Sequence, residues 1–404
     1  MAVGLKPVTQ LSPIAGIKLA AVSAGIKHGD KTDMVIISCE PGTRTAAVFT
    51  QNRFCAAPVV VAKEHMAQTA VRACLINSGN ANAGTGKEGL DSARNTCSAL
   101  AAELAIDENA VLPFSTGVIG QQLPVEKMAA AMSGAVKQLQ NDAWVAAAQG
   151  IMTTDTVPKG LSRILKLNNG EITLTGIAKG AGMIRPDMAT LLVFIATDAD
   201  IAAPALQIAL QSAVNVSFNR ITVDGDTSTN DSCVLMASGK SGIEIAANTE
   251  DMEQFSEALT ELASELAQSV IRDAEGINKF ITIDVINGSS EQECLDVAYT
   301  VAHSPLVKTA FFASDANWGR ILAAVGRAPV SSLDIDKIRI MLSGVCIVEN
   351  GGVANSYTEE AGQEVMSHDE IMISIDLAQG DARCRVWTSD LSHDYISINA
   401  DYRS

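Results

Sequence analysis

Apolar positions along the chain recur with two periods, and each change of period marks a new element. Short aliphatic and β-branched runs predict strands over 33–38 ("DMVIIS"), 45–50 ("TAAVFT"), 57–62 ("APVVVA") and 73–78 ("ACLINS"). A helical spacing follows over 89–105, 125–139 and 142–152. Two further strand patterns, 161–167 and 171–179, flank "NNG", a hairpin signal. Beyond them the pattern predicts a helix over 203–216, strands over 220–225 and 232–238, and a long helix from 250 to about 271. The last third alternates again, with strands over 280–287, 337–343, 345–352, 370–377 and 382–391 and a helix over 291–305. Hairpin-connected strands with helices grouped between them indicate an α+β fold rather than a regular βαβ repeat. Composition becomes more polar near residue 282, which sets the expected domains at 1–282 and 283–404.

At 404 residues the chain is long enough for two domains. Aromatics make up only 4%, so the core must be built from Ala, Val, Ile and Leu. The formal net charge of −17, with no Lys/Arg run, excludes nucleic acid as a partner, since that binding needs a basic face. Eight cysteines lie scattered without a C-x-x-C pair and five histidines are equally dispersed. Zinc needs clustered ligands, so neither a metal nor another cofactor is expected. The N-terminus lacks the basic-then-apolar layout of a signal peptide, and no run of about 18 apolar residues suggests a membrane span. A cytoplasmic protein is expected.

Four stretches invite chemical readings. "GTGKEG", residues 84–89, matches G-x-G-x-x-G, but "NSGNANA" separates it from the preceding strand, so it reads as a loop entering a helix. "VDGDTSTNDS", residues 223–232, has its glycine too early for a calcium loop and lacks the closing Glu. It reads as a hydroxyl-rich turn, of the kind that also organises substrates. "PFSTGVIG", residues 113–120, places Thr116 and Gly117 in a loop, either as punctuation or as donors to an oxyanion.

The fourth, "KGAGMIRPDMATLL", residues 179–192, spends two glycines and a proline immediately before Thr190. A loop feeding a buried strand explains the glycines. A second reading explains the whole string. An N-terminal threonine carries its own base, because a free α-amine with a pKa of about 7.7–8.0 can take the hydroxyl proton. Thr190 gains that amine only if the Ala189–Thr190 bond breaks. Its hydroxyl can do so by attacking the preceding carbonyl, which permissive glycines and a small Ala189 favour. Lys179 is then placed to bind substrate or stabilise charge.

Together "IMTTDTVPK", "GIAKGAGMIRPDMATLLVFIATDA", "ITVDGDTSTNDS", "SPLVKTAFFASDANWGRI" and "DLSHDYISINADYRS" resemble the ornithine acetyltransferase (glutamate N-acetyltransferase, ArgJ type) family. The resemblance extends from "AVFTQNRFCAAPV" to the last residue. It implies an αββα sandwich with a smaller α+β domain, cut between Ala189 and Thr190 into chains 1–189 and 190–404. It further implies that Thr190 takes acetyl from N2-acetylornithine and passes it to L-glutamate by a ping-pong route, with acetyl-CoA a further candidate donor. Thr116 and Gly117 match the family's oxyanion hole. Thr153, Lys179, Glu275, Asn399 and Ser404 match its substrate contacts, and an α2β2 heterotetramer of the two cut chains is expected. Two departures stand out. "RDAEGINKF" carries Ala274 and "IN" where the family commonly has "DGEGATKF", and Asp187 replaces the usual Asn before the cut.

Two competing readings remain from the residues. One is a self-cleaving aminopeptidase or amidase, with water as acceptor; the other is an uncut binding protein. A denaturing gel separates them: self-cleavage predicts pieces 1–189 and 190–404, and Thr190→Ala should run as one inactive chain. A fully active uncut protein would end the N-terminal-threonine reading.

Overall fold

Met34, Val35, Ile36 and Ile37 are all fully buried, so the strand they form carries protein on both of its faces. That strand belongs to one of two stacked sheets in the computed structural model, which describes residues 2–185 and 191–401. Tertiary contacts divide the chain into two units, the first comprising residues 6–219 and 227–270 and the second 1–5, 220–226 and 271–404.

The first unit begins β1 (Ile17–Val22), β2 (Met34–Cys39), β3 (Arg44–Phe49), α1 (Ala57–Gln68), β4 (Ala73–Asn80) and α2 (Gly86–Leu104). It continues through β5 (Val111–Val118), α3 (Val125–Val136), α4 (Trp144–Gly150), β6 (Lys159–Leu167), β7 (Gly170–Lys179) and β8 (Leu192–Thr197). Then come β9 (Asp200–Ile201), α5 (Ala203–Val216), β10 (Ser232–Ala237), β11 (Glu244–Ile245) and most of α6 (Glu250–Arg272). One sheet has the order β1-β2-β4-β5 and the other β3-β10-β8-β7-β6, while β9 and β11 form a separate short pair.

Side-chain alternation makes the layers. On the first sheet Val35, Ile37, Cys74, Ile76, Leu112 and Phe114 point inward, meeting Ile177, Leu192, Phe194, Ala196, Val234 and Met236 of the second. Met34, Ile36, Leu75 and Val111 point outward onto Cys97 and Leu100 of α2 and Met128 and Met132 of α3. On the outer face of the second sheet, Gly176 leaves just enough room for Leu262 and Leu266 of α6. Helix, sheet, sheet and helix thus stack as an αββα sandwich within an α+β fold. Phe114 and Phe194 meet edge to face between the sheets, ring centres 5.1 Å apart.

The second unit is built on one sheet of order β15-β14-β13-β16-β12-β17. Its strands are β12 (Phe280–Gly288), β13 (Arg339–Leu342), β14 (Val345–Glu349), β15 (Gly352–Val353), β16 (Glu370–Asp376) and β17 (Ala382–Ser389). Helices α7 (Glu291–Ala302), α8 (Pro305–Phe312), α9 (Trp318–Gly326) and α10 (Glu359–Met366) accompany the sheet, and α11 (His393–Ala400) follows it. Val297, Val301, Phe311 and Val325 pack with Ile283, Ile340 and Ile373 in its core. Among the described residues no helix is long and apolar enough to cross a membrane.

Three expectations change. Residues 57–62 open helix α1 instead of forming a strand; Pro58 sits in its first turn, where its missing N–H costs nothing. Residues 220–225 form no strand; only Ile221 makes an isolated bridge, to Trp387. Residue 282 falls inside β12, and the division by contacts lies instead at the end of α6, between residues 270 and 271. Phe194→Ala should destabilise the first unit by about 3–5 kcal/mol, since it empties a fully buried site between two sheets. Chemical denaturation of the variant measures this, and a loss below about 1 kcal/mol would mean that the intersheet core is not close-packed there.

Candidate active site

Strands β4 and β5 run parallel until Ser78 faces Thr116 and Gly79 faces Gly117, and there the register shifts, with Asn80 opposite both Thr116 and Val118. Gly117 adopts φ +135°, and a Cβ on it would lie 2.3 Å from the Gly79 carbonyl carbon and 2.5 Å from Asn80 N. Only glycine allows the two backbones this close. Thr116 and Gly117, expected in a loop, are therefore the two residues before the last of strand β5, held by a backbone crossing. Buried side chains fix the crossing further. Ser115 Oγ donates to Asn77 Oδ1 at 2.6 Å, and Asn77 Nδ2 donates to the Asn80 carbonyl at 2.8 Å.

Lys179 ends β7 opposite Leu192, the first residue of β8. Its side chain is largely buried, and Nζ donates to Thr153 Oγ1 at 2.8 Å and to Thr116 Oγ1 at 3.2 Å. Three residues distant in sequence are thereby gathered around one ammonium. A hydroxyl that accepts from an ammonium is polarised, and its own proton is turned toward another acceptor. Thr116 thus presents a strengthened donor beside the N–H of Gly117.

Asp155 organises this arrangement and was not singled out by the sequence. Its carboxylate is fully buried with Lys159, 2.7 Å from Nζ. Oδ1 also accepts from Gly180 N–H at 2.8 Å, and Oδ2 from Thr153 N–H at 3.0 Å. Burial alone would raise its pKa. The charges of Lys159 and Lys179, with the hydrogen bonds from Lys159 and Thr153, outweigh burial and hold the carboxyl well below the usual range. The one sequence signal was local: Asp155 precedes Lys159 by four residues in "TTDTVPK".

Lys27 is a second residue that sequence reading passed over. Its Nζ donates to the Met152 carbonyl at 2.8 Å and the Thr32 carbonyl at 3.1 Å, anchoring the turn that carries Thr153. Burial, with the repulsion of Lys179, lowers its pKa to about 8 against the pull of Asp33. Its signal was positional only, a lone lysine between glycine-rich turns.

In the second unit Glu275 and Asn399 come together, with Asn399 Nδ2 donating to Glu275 Oε2 at 2.7 Å. Gly276 turns the chain at φ +68°, and a Cβ there would sit 2.4 Å from Tyr395 N. That close approach sets α11 against the turn carrying Glu275. Tyr395 donates to Asp224 Oδ2 at 3.1 Å; burial and the Asp224 carboxylate raise the phenol's pKa. Ala189, Thr190 and Ser404 lie outside the described residues. Among the described residues no three His, Cys, Asp or Glu side chains are grouped to hold a metal ion.

Asp155→Asn should be costly, because it removes the carboxylate that lies 2.7 Å from the buried Lys159 ammonium. A loss of about 3–5 kcal/mol is expected, read by denaturant unfolding. The pH dependence has a definite sign. The folded pKa of Asp155 is depressed, so its stabilisation is complete above the ordinary Asp value of about 3.9 and is lost progressively as pH falls below it. The wild type should therefore lose stability more steeply than Asp155→Asn under about pH 4. Parallel acid-unfolding curves would contradict the ion pair.

The sequence pattern of the ArgJ family matches residues 18–404. The arginine biosynthesis bifunctional protein ArgJ of Pseudomonas syringae pv. tomato is 53% identical over 406 residues, covering 100% of both chains. That of Psychrobacter arcticus is 53% identical over 407 residues, again covering 100% of both. A solved ornithine acetyltransferase from Mycobacterium tuberculosis, complexed with ornithine, is 36% identical over 45% of this chain and 94% of its own, with a TM-score of 0.41. Matched from end to end at more than half of its positions, this chain belongs to the ArgJ family.

Proposed function

We propose that the chain is a self-cleaving glutamate N-acetyltransferase that moves acetyl from N2-acetylornithine to L-glutamate in arginine biosynthesis. The observation that carries this reading is the Lys179 ammonium, which holds the hydroxyls of Thr116 and Thr153 beside Gly117. Lys179 also pairs with Leu192, two residues after Thr190 in the chain. An acyl-transfer site needs donors for an oxyanion, a cation and a nucleophile in reach of both.

Cleavage before Thr190 frees its α-amine, which takes the Thr190 hydroxyl proton as the oxygen attacks the acetyl carbonyl. Thr116 and Gly117 donate to the resulting oxyanion. As the intermediate collapses, the amine of ornithine leaves with the proton from the Thr190 ammonium, and an acetyl ester remains on Thr190. The glutamate amine then attacks that ester and loses a proton to the Thr190 amine; the acetyl–oxygen bond breaks, Thr190 Oγ takes that proton back as the leaving hydroxyl, and N-acetylglutamate departs. Lys179 and Thr153 serve the substrate carboxylates. Glu275, Asn399 and the terminal Ser404 complete the substrate contacts, by the family resemblance. Acetyl-CoA serves as a second donor to glutamate, in keeping with the word bifunctional in the relatives' names. The cut chains assemble as an α2β2 heterotetramer in the cytoplasm.

Supplying acetylornithine with and without glutamate tests the reading. Ornithine should appear in step with N-acetylglutamate and should stop when glutamate is withheld; undiminished release without glutamate would make the protein a hydrolase. Acetyl-CoA with glutamate should also yield N-acetylglutamate. Because the base is an α-amine, kcat/KM should fall as pH drops below about 7.7–8.0.

A further inference from the structure

The turn "TSTND" lies outside the machinery described so far, yet it sends one buried side chain into it. Asn230 Nδ2 donates to two backbone carbonyls, Ala81 O at 2.6 Å and Ser115 O at 3.0 Å. Both partners are pure acceptors, so the carboxamide orientation is unambiguous. The two carbonyls flank the β4–β5 crossing. Ser115 immediately precedes Thr116, and Ala81 immediately follows Asn80, the residue at which the register shifts.

The platform holding Asn230 is itself tied down. Thr229 Oγ1 donates to Asn230 Oδ1, Ala56 N–H donates to the Thr229 carbonyl at 2.9 Å, and Thr50 Oγ1 donates to the Ser228 carbonyl at 2.9 Å. Asn230 is 7% exposed and Ser115 3%, so no solvent can replace these bonds cheaply. A peptide group is planar and trans. Gripping the Ser115 carbonyl therefore fixes the plane that carries the Thr116 N–H and Cα, from which the Thr116 side chain and the Gly117 N–H extend.

We infer that Asn230 is a positioning residue for the oxyanion donors: it clamps the end of β4 to the end of β5 so that Thr116 and Gly117 are aimed before substrate arrives. The inference rests on the acetyltransferase reading above. Asn230 touches neither substrate nor the reacting atoms in this role. It acts through Ser115 and Ala81, and the transition state is affected more than the ground state, because oxyanion donors are used only there.

Asn230→Ala, Asn230→Ser and Asn230→Leu test the clamp, with kcat normalised to the cut fraction read by intact mass. For acetylornithine, kcat should fall by on the order of tenfold or more while KM stays within about twofold. Asn230→Ser, which keeps one donor, should be the least affected. Thr116→Ala in the same background supplies a readout that general loosening would not give. If Asn230 works through Thr116 and Gly117, the double variant should be slowed by clearly less than the product of the two single losses. Unchanged kcat in the Ala and Leu variants, losses that multiply with Thr116→Ala, or failure of all three variants to fold and cut would each overturn the inference. Thr116→Ala alone checks the underlying reading: wild-type kcat there would remove Thr116 from the oxyanion hole, whatever the Asn230 variants do.

Discussion

A carboxylate sealed from water ordinarily takes up a proton, and the candidate site depends on Asp155 not doing so. Two lysine charges keep it ionised, and an ionised carboxylate has lone pairs enough for two backbone N–H groups as well as Lys159. Those N–H groups belong to Thr153 and Gly180, which leave different elements. One buried anion therefore sets the separation between the turn carrying Thr153 and the end of β7 carrying Lys179. Lys179 passes that constraint on to Thr116 at the end of β5. Apolar residues could fill the same volume with equal stability, since desolvation offsets much of the attraction in a buried pair. What they could not supply is a common reference point for three chain segments.

Much of the fold was legible because its elements carry clean periods. The helix over 203–216 was read to the residue, and β10 and β12 to within one. Residues 57–62 were misread because three consecutive valines favour a strand locally. Burial of Val59 and Val61 against the body of the unit, with Pro58 in the first turn, outweighs that preference. β1, "IKLAAV", escaped notice because it lacks a strict alternation, and its pairing with β2 is what makes it a strand.

The candidate site divides in the same way. Lys179, Thr116 and Thr153 were nameable from motifs, but nothing in the chain says that an ammonium and a hydroxyl 63 residues apart will meet. Asp155, Lys27 and Asn230 carry at most a weak local signal, a spacing to Lys159, a place between turns or membership of a hydroxyl-rich turn. Each is defined by backbone partners supplied from elsewhere, as when Asn230 reaches back 149 residues to Ala81 and 115 to Ser115. Gly117 was found for its chemistry and misplaced in its geometry. The reason is that a backbone crossing is a property of two strands and is invisible in either one.

The sheet order carries a consequence of its own. β7 and β8 are adjacent antiparallel strands, and the bond before Thr190 lies in the connection between them. In the uncut chain that connection is residues 180–191, so the two strands pair within one molecule and only a loop-closure entropy opposes their meeting. β8 lies between β7 and β10, and the proposed cut before Thr190 would remove the tether that brought it there. The same ladder that formed within one molecule would have to re-form between two. A chain folded first and cut afterwards, as proposed, would persist by how slowly it opens, because the route by which it closed would no longer exist.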